Sequence, residues 1–349
     1  MAATIYDVAR RAGVTAATVS NVVRGKGSVG AETRARVQAA VEELDYRPNL
    51  VARGLARRRT RTLALLLPNI ANPFYPEIAL EVERIAGEQG YHLLLCNTRD
   101  DAALGRAHLH GLSGRWVDGV LAMAGGLRLA DVRAAAARGL PIVLCNWGEQ
   151  DERGEDAPAL PRVDVDFRHG GELAARHLLA RGHRRVAVIV QEAPATQTSA
   201  TQNPSHTRRL EGVRAALGAS GVALAADVCF GDGTLESGYR AAARLVSGHV
   251  RPTAIFATND IMALGAMEAA ADAGLRVPDD LSLIGFDDIA LAGHVRPALT
   301  TIAIPKRELA TRSMDLLLRH VDGAVVDADN LTVRPHLVIR HSTAAYVPL

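Results

Sequence analysis

Thr4-Ile5-Tyr6-Asp7-Val8-Ala9-Arg10-Arg11-Ala12-Gly13-Val14-Thr15-Ala16-Ala17-Thr18-Val19-Ser20-Asn21-Val22-Val23 reads as two short helices broken by a glycine turn. Thr4 can cap the first helix, with Asp7 three residues on in capping-box fashion near the positive end of the helix dipole. Ile5, Val8, Ala9 and Ala12 fall on one face at helical spacing. Gly13 permits the sharp turn and Thr15 can cap the second helix, whose Val19, Val22 and Val23 are expected to face back onto the first. This layout is that of a helix-turn-helix, which lays its second helix in the DNA major groove. Thr15, Ala16, Ala17, Thr18, Ser20 and Asn21 then occupy the start and exposed side of that helix. Ala16 and Ala17 are too short to hydrogen-bond and offer only apolar contact, for instance to thymine methyls, whereas Asn21 could pair with adenine.

Charge supports the DNA reading once it is divided by region. The 349 residues together carry a net charge of only +2. Residues 1–61 hold 12 Lys or Arg against 5 Asp or Glu, leaving 28 against 33 for the rest, so a head of +7 is joined to a body of −5. A basic head on a mildly acidic body is the footprint of a protein that touches phosphate with one end.

A third amphipathic stretch over residues 31–44, with Val37, Val41 and Leu44 on its apolar side, leads into Asp45-Tyr46-Arg47-Pro48-Asn49-Leu50-Val51-Ala52-Arg53-Gly54-Leu55-Ala56. Together with residues 4–23 and Thr33-Arg34, this closely resembles the headpiece and hinge of the lactose-repressor (LacI/GalR) family. The resemblance continues through Asn72-Pro73-Phe74-Tyr75, Val117-Asp118-Gly119-Val120, Gly182-His183-Arg184-Arg185, Arg209-Leu210-Glu211-Gly212, Thr258-Asn259-Asp260, Gly285-Phe286-Asp287-Asp288 and Leu299-Thr300-Thr301-Ile302. It implies a DNA-binding headpiece at 1–47, a hinge helix and linker at 48–61, and a two-lobed effector-binding and dimerisation domain at 62–349. It implies DNA contacts from Thr4, Arg34, Asn49, Ala52, Arg53 and Leu55, with Leu55 of two subunits wedged into the minor groove of a pseudo-palindromic operator. It also implies a homodimer in which the chain crosses between the lobes three times.

Length and composition agree independently. At 349 residues the chain is too long for one ordinary core, and 48% apolar with 4% aromatic content suits aliphatic α/β packing. No run of about 18 apolar residues predicts a membrane span, and the N-terminus lacks an apolar leader, so a cytoplasmic protein is expected. Cys96, Cys145 and Cys229 sit widely spaced in apolar runs and read as reduced core thiols.

After residue 61 short aliphatic runs alternate with helical stretches. Residues 63–67, 92–96, 120–123 and 141–145 are expected strands, with a helix over 77–89. A second round offers strands at 185–190, 254–257 and 281–285, with a helix over 207–220. Continuous runs of this kind suit central strands of a parallel sheet covered on both faces. The expected fold is therefore α/β: a small all-helical headpiece followed by two doubly wound lobes like those of periplasmic binding proteins. Residues 148–161 and 191–205 read as the least structured parts.

Enzyme chemistry is hard to find. There is no phosphate-loop or nucleophile-elbow motif and no cofactor signature. His177 and His183 lie six apart without further ligands at metal spacing, so they read as surface or capping residues. Open α/β sheets instead bind ligands beyond the carboxyl ends of their strands, where Asn72, Phe74, Tyr75, Asn146, Trp147 and Asp287 fall. By resemblance, Arg209 and Asp287 clamp a small polar effector while Phe74 and Trp147 present flat faces to a ring, and Asn259 and Asp260 join the site. Trp147-Gly148-Glu149 and Glu236-Ser237-Gly238-Tyr239 are similar to the purine-repressor branch, but Gly233 replaces its base-stacking phenylalanine, and Asn203 and Ser205 replace purine-contacting residues. A sugar or polyol effector is the first expectation, and a purine- or nucleoside-responsive co-repressed regulator is the alternative. A stand-alone sugar-binding protein shares the two-lobed plan but not the basic headpiece. These residues are compatible with an inducer and with a co-repressor alike.

Overall fold

A computed structural model of the chain describes residues 3–23, 25, 27–47, 59–114, 116–123, 127–147, 160–192, 204–222, 228–324 and 330–347. The chain divides into two compact units, 1–60 and 61–349.

The first unit packs helices α1 (Ile5–Ala12), α2 (Ala16–Val23) and α3 (Ala31–Glu43) around Val8, Ala9, Ala12, Val19, Val22, Val37 and Ala40. The capping box is present: the Thr4 backbone N–H donates to Asp7 Oδ2 at 2.9 Å, and the Asp7 N–H donates to Thr4 Oγ1 at 3.4 Å. Gly13 turns the chain at φ 63°, a left-handed conformation that glycine adopts without a Cβ clash. Thr15 Oγ1 then accepts the Thr18 N–H at 3.2 Å, capping α2 as expected. Val23 departs from the expectation and is 40% exposed, because Val19 and Val22 already fill the contact with the other two helices.

The second unit contains two sheets of similar plan. Strands β1 (Thr62–Leu67), β2 (His92–Asn97), β3 (Gly119–Met123), β4 (Ile142–Cys145), β5 (Arg162–Val165) and β11 (Asn330–Val333) form an all-parallel sheet in the order β11-β5-β4-β3-β1-β2. Strands β6 (Val186–Gln191), β7 (Val228–Gly231), β8 (Ala254–Ala257), β9 (Ser282–Asp287), β10 (Thr300–Ala303) and β12 (His336–Val338) form the other in the order β12-β10-β9-β8-β6-β7. Only β12 runs antiparallel there, against β10. The expected central strands are all present, and residues 63–67 are completely buried, as a sheet covered on both faces requires.

Helices α4 (Phe74–Glu88), α5 (Ala102–Leu112), α6 (Leu129–Ala137) and α11 (Lys306–Val321) belong to the first sheet's lobe. Helices α7 (Phe167–Ala180), α8 (Pro204–Ala219), α9 (Leu235–Ser247) and α10 (Asp260–Asp272) belong to the second. The chain therefore crosses between lobes after β5, after β10 and after β11, the expected three crossings. One apolar cluster runs through both lobes, and a second, around Leu66, Val120, Leu144 and Trp147, lies within the first.

Helices α7 and α8 approach so closely that each presents a glycine to the other's backbone. A Cβ on Gly171 would lie 2.0 Å from Arg209 O, and one on Gly212 would lie 2.0 Å from Arg168 O.

The two histidines expected as surface or capping residues are both buried. His177 Nε2 lies 2.9 Å from Thr343 Oγ1, and His183 lies 3.0 Å from Thr253 Oγ1 and 3.1 Å from Ala344 O. They tie the chain's C-terminal stretch to the second lobe, a long-range role that sequence spacing does not reveal. Cys96 and Cys145 are buried and Cys229 half-buried, all three as free thiols. Among the described residues no helix is long and apolar enough to cross a membrane.

Candidate DNA-reading helix and effector cavity

On the first unit, Thr15, Ala17 and Asn21 are exposed along α2, with Ala16, Thr18 and Ser20 half-buried beside them. Thr4 is exposed at the start of α1, and Arg34 is half-buried on α3. Tyr6, which the sequence reading passed over, is 69% exposed next to the capping box, an aromatic left in solvent by a small domain. Asn49, Ala52, Arg53 and Leu55 lie outside the described residues.

Within the second unit the carboxyl ends of both sheets and the starts of α4 and α8 converge on one polar cavity. Asn72, Phe74, Tyr75 and Asn146 line it from the first lobe, and Gln191, Ser205, His206, Arg209 and Asp287 line it from the second. Its free interior is about 10 Å³, the space of one water, so any larger ligand is admitted only with the two lobes further apart. Asn72 Oδ1 accepts the Phe74 N–H at 3.0 Å, shaping the entry into α4 so that Phe74 and Tyr75 face the cavity.

Arg209 is the centre of the arrangement. Its guanidinium stacks 3.8 Å from the centroid of Phe286 and 4.8 Å from that of Phe167, and Nη1 donates to the backbone carbonyl of Thr258. Asp287 Oδ1 lies 3.5 Å from Arg209 Nη1, and both side chains are buried. Burial acts on each charge, lowering Arg209 from its ordinary value and raising the Asp287 carboxyl to about 6, with Arg209 and Lys306 pulling the latter back. Asp287 also holds φ at 111°, a conformation L residues rarely adopt and one that gathers at binding sites.

Among the described residues, three buried polar atoms here make no hydrogen bond: Arg209 Nε, Asp287 Oδ1 and Asn146 Oδ1. An unmade buried hydrogen bond costs roughly 1–3 kcal/mol, so three around one cavity, one on the first lobe and two on the second, point to a ligand that makes them.

The sequence candidates divide accordingly. Asn72, Phe74, Tyr75, Arg209 and Asp287 are brought together, and Asn146 joins them. Trp147, Asn259 and Asp260 stand off the cavity wall. Trp147 is 1% exposed inside the first lobe's second cluster, where its ring packs with aliphatic side chains. Asn259 caps α10 through the Met262 N–H at 2.7 Å and donates to Gln191 Oε1 at 2.9 Å. Asp260 accepts from the Ile289 N–H at 2.8 Å and from Thr301 Oγ1 at 2.5 Å, anchoring the loop that follows β9. Gln191, Ser205 and His206 were not in the expected set. Gln191 ends β6, so the carboxyl-end rule that found Asp287 also applies to it; His206 carries no such signal.

The geometry defines a two-part regulator, a helix-turn-helix unit joined to a two-lobed α/β domain with a polar cavity between its lobes. Residues 4–49 match the bacterial regulatory proteins of the lacI family, and residues 175–343 match a periplasmic binding protein-like domain. The chain is 34% identical over 345 residues to catabolite control protein A of Priestia megaterium, covering 98% of this chain and 100% of that one. It is 38% identical over 348 residues to the HTH-type transcriptional repressor PurR of Pectobacterium atrosepticum, covering 98% and 97%. The Lac repressor dimer bound to operator and the anti-inducer ONPF superposes with a TM-score of 0.83 at 29% identity, over 99% of this chain and 100% of that one. The complex of the transcriptional regulator CelR with cellobiose gives 0.69 at 31% identity, over 97% and 99%. The chain belongs to the LacI family of bacterial transcriptional regulators.

Proposed function

We propose that this regulator acts in the cytoplasm as a homodimeric repressor, without catalytic activity, whose hold on a pseudo-palindromic operator is set by a neutral sugar or polyol bound between its lobes. The observation that carries the effector reading is the set of buried polar atoms without hydrogen bonds on Arg209, Asp287 and Asn146. Asn146 lies on the first lobe's side of the cavity and Arg209 and Asp287 on the second's, so a single ligand engages both lobes. The cellobiose complex of CelR and the ribose-bound LacI-family regulator of Enterococcus faecium supply the chemical precedent. Homodimer formation is supported by β2, which closes one edge of its sheet with Leu94 and Leu95 exposed, and by exposed Leu80 on α4. Asn49, Ala52, Arg53 and Leu55 are assigned to the operator by resemblance.

A purine effector fits less well. Gly233 stands where the purine-repressor branch stacks a phenylalanine on the base, and it offers no ring. A thermal-shift screen of sugars, polyols and nucleosides against the full chain, followed by operator titration with each hit, tests the reading. Stabilisation by a saccharide that also changes operator affinity is expected; stabilisation by nucleosides alone would overturn the sugar assignment.

A further inference from the structure

We propose that His206 is a specificity-determining residue of the effector cavity, offering a neutral Nε2–H donor to a hydroxyl oxygen of a polyhydroxyl ligand. The inference rests on the effector reading above and adds a residue and a direction of hydrogen bonding to it.

The direction follows from the hydroxyl of Thr258, which is fully buried. The backbone N–H of Gln191 donates to Thr258 Oγ1 at 2.9 Å, and His206 Nδ1 lies 3.0 Å from the same oxygen. A backbone N–H can only donate. Were Nδ1 protonated as well, two donors would face one oxygen and the hydroxyl proton would be buried without an acceptor. The satisfied arrangement runs from Gln191 N–H to Thr258 Oγ1, and from the Thr258 hydroxyl to a bare Nδ1. Burial and the neighbouring Arg209 charge outweigh the pull of the Thr258 backbone and disfavour the imidazolium, and with Nδ1 accepting from Thr258 the single ring proton sits on Nε2. The ring lines the cavity with Nδ1 turned to Thr258, which leaves Nε2 to face a ligand.

Among the polar groups lining the cavity, His206 Nε2–H and Arg209 Nε–H offer donors, and Asp287 Oδ1 and Asn146 Oδ1 offer acceptors. An anionic ligand would meet the Asp287 carboxylate, and a cationic one would meet Arg209. Hydroxyl groups both donate and accept, so adjacent hydroxyls on a neutral ring satisfy such a mixed set.

The first test needs no ligand. Full-length protein labelled with 15N-histidine is recorded in long-range proton–nitrogen spectra, with the His206 signals assigned by their loss in His206→Asn. A protonated Nε2 and bare Nδ1, unchanged from pH 6 to 8, are expected; an Nδ1–H tautomer or an imidazolium overturns the proposal. The second test is calorimetry with glucose, galactose, ribose, cellobiose and sorbitol, with each binder repeated as its monodeoxy and monofluoro analogues. At one ring position the deoxy analogue should bind about tenfold more weakly than its parent, while the fluoro analogue, which still accepts, loses less. In His206→Asn the parent should lose about tenfold and the deoxy penalty at that position should vanish. Binding abolished by Arg209→Ala yet unchanged in His206→Asn would overturn the role of His206 and leave the effector cavity standing. Binding untouched by Arg209→Ala would remove the cavity itself, and no saccharide binding at all would overturn the ligand class.

Discussion

Asp287 is an acid held where its charge is costly. Its carboxyl is buried, strained at φ 111°, and within 3.5 Å of an arginine it does not hydrogen-bond through Oδ1. Because its folded value stands near 6 against an ordinary 3.8, the folded state binds a proton that the unfolded state releases first. The sign is therefore opposite to that of a salt-bridged surface carboxylate: stability declines as pH rises from about 4 through about 6 and then levels. Asp287→Asn removes this dependence. Wild type should lose stability relative to the variant from pH 4 to pH 8, by up to about 3 kcal/mol, with about half of that loss complete by pH 5. Equal melting curves at both pH values would mean that Arg209 offsets the burial completely. The ionised carboxylate is also the form that accepts from a ligand hydroxyl, so effector affinity should fall as pH drops below about 6 in wild type and stay flat in the variant.

At the scale of elements, the cavity depends on how α7 and α8 cross. Gly171 and Gly212 allow backbone contact, and that contact puts Arg209 between Phe167 of α7 and Phe286 of β9. Gly212→Ala must push the helices apart, since its Cβ would meet a carbonyl rather than a flexible side chain. The expected result is a loss of about 1–3 kcal/mol in stability together with loss of effector binding, read by melting and calorimetry on the same sample. On α2 the expectation is milder. Asn21→Ala, at an exposed position, should leave the headpiece folded and relax discrimination at one base pair per half-site by about 1–3 kcal/mol, measured by competition among operator variants. Equal weakening on operator and random DNA would make Asn21 a phosphate contact.

These elements also show where the sequence is legible. The headpiece could be read because each of its signals is local: a capping box, a glycine turn and an apolar stripe all act within four residues. The central strands could be read because burial on both faces requires continuous aliphatic runs. β5 (Arg-Val-Asp-Val), the exposed edge β7 and the three-residue β12 carry no such run, and their pairing is set by partners far along the chain. In the cavity, Arg209 and Asp287 were found through motifs and strand ends. Asn259 and Asp260 carry the same kind of motif, yet their side chains brace a helix end and a loop, a difference that only side-chain direction decides. His206 was passed over because its partner Thr258 lies 52 residues away.

For the whole molecule the question is how occupancy of the cavity reaches the operator. The loop that carries Asp287 is also the one that the first lobe grips. Glu77 on α4 accepts the Ala290 N–H at 2.8 Å and pairs with Lys306 Nζ at 3.0 Å, while Lys306 donates to Asp288 O at 2.6 Å. Arg340 holds the Asp288 carboxylate at 2.7 Å from within the second lobe. An effector that bonds Asp287 on one side and Asn72 or Asn146 on the other thus favours the same lobe arrangement that Glu77 bridges. A ligand moves a conformational equilibrium only by its different affinities for the two states. Glu77→Ala removes one of these two cross-lobe contacts without touching the cavity wall, and hydrogen bonds to a charged group are worth about 1.5–3 kcal/mol, so effector affinity should drop by about tenfold or more. Operator affinity without effector should shift as well, whereas Arg209→Ala should leave it intact and abolish only the response. Linkage adds a stricter condition: the factor by which effector changes operator affinity must equal the factor by which operator changes effector affinity, in wild type and in Glu77→Ala alike. Titrating each ligand with the other absent and saturating measures both factors. Weaker effector binding on operator identifies an inducer and tighter binding a co-repressor. A Glu77→Ala protein with wild-type effector affinity and wild-type coupling would place the bridge outside the regulatory equilibrium.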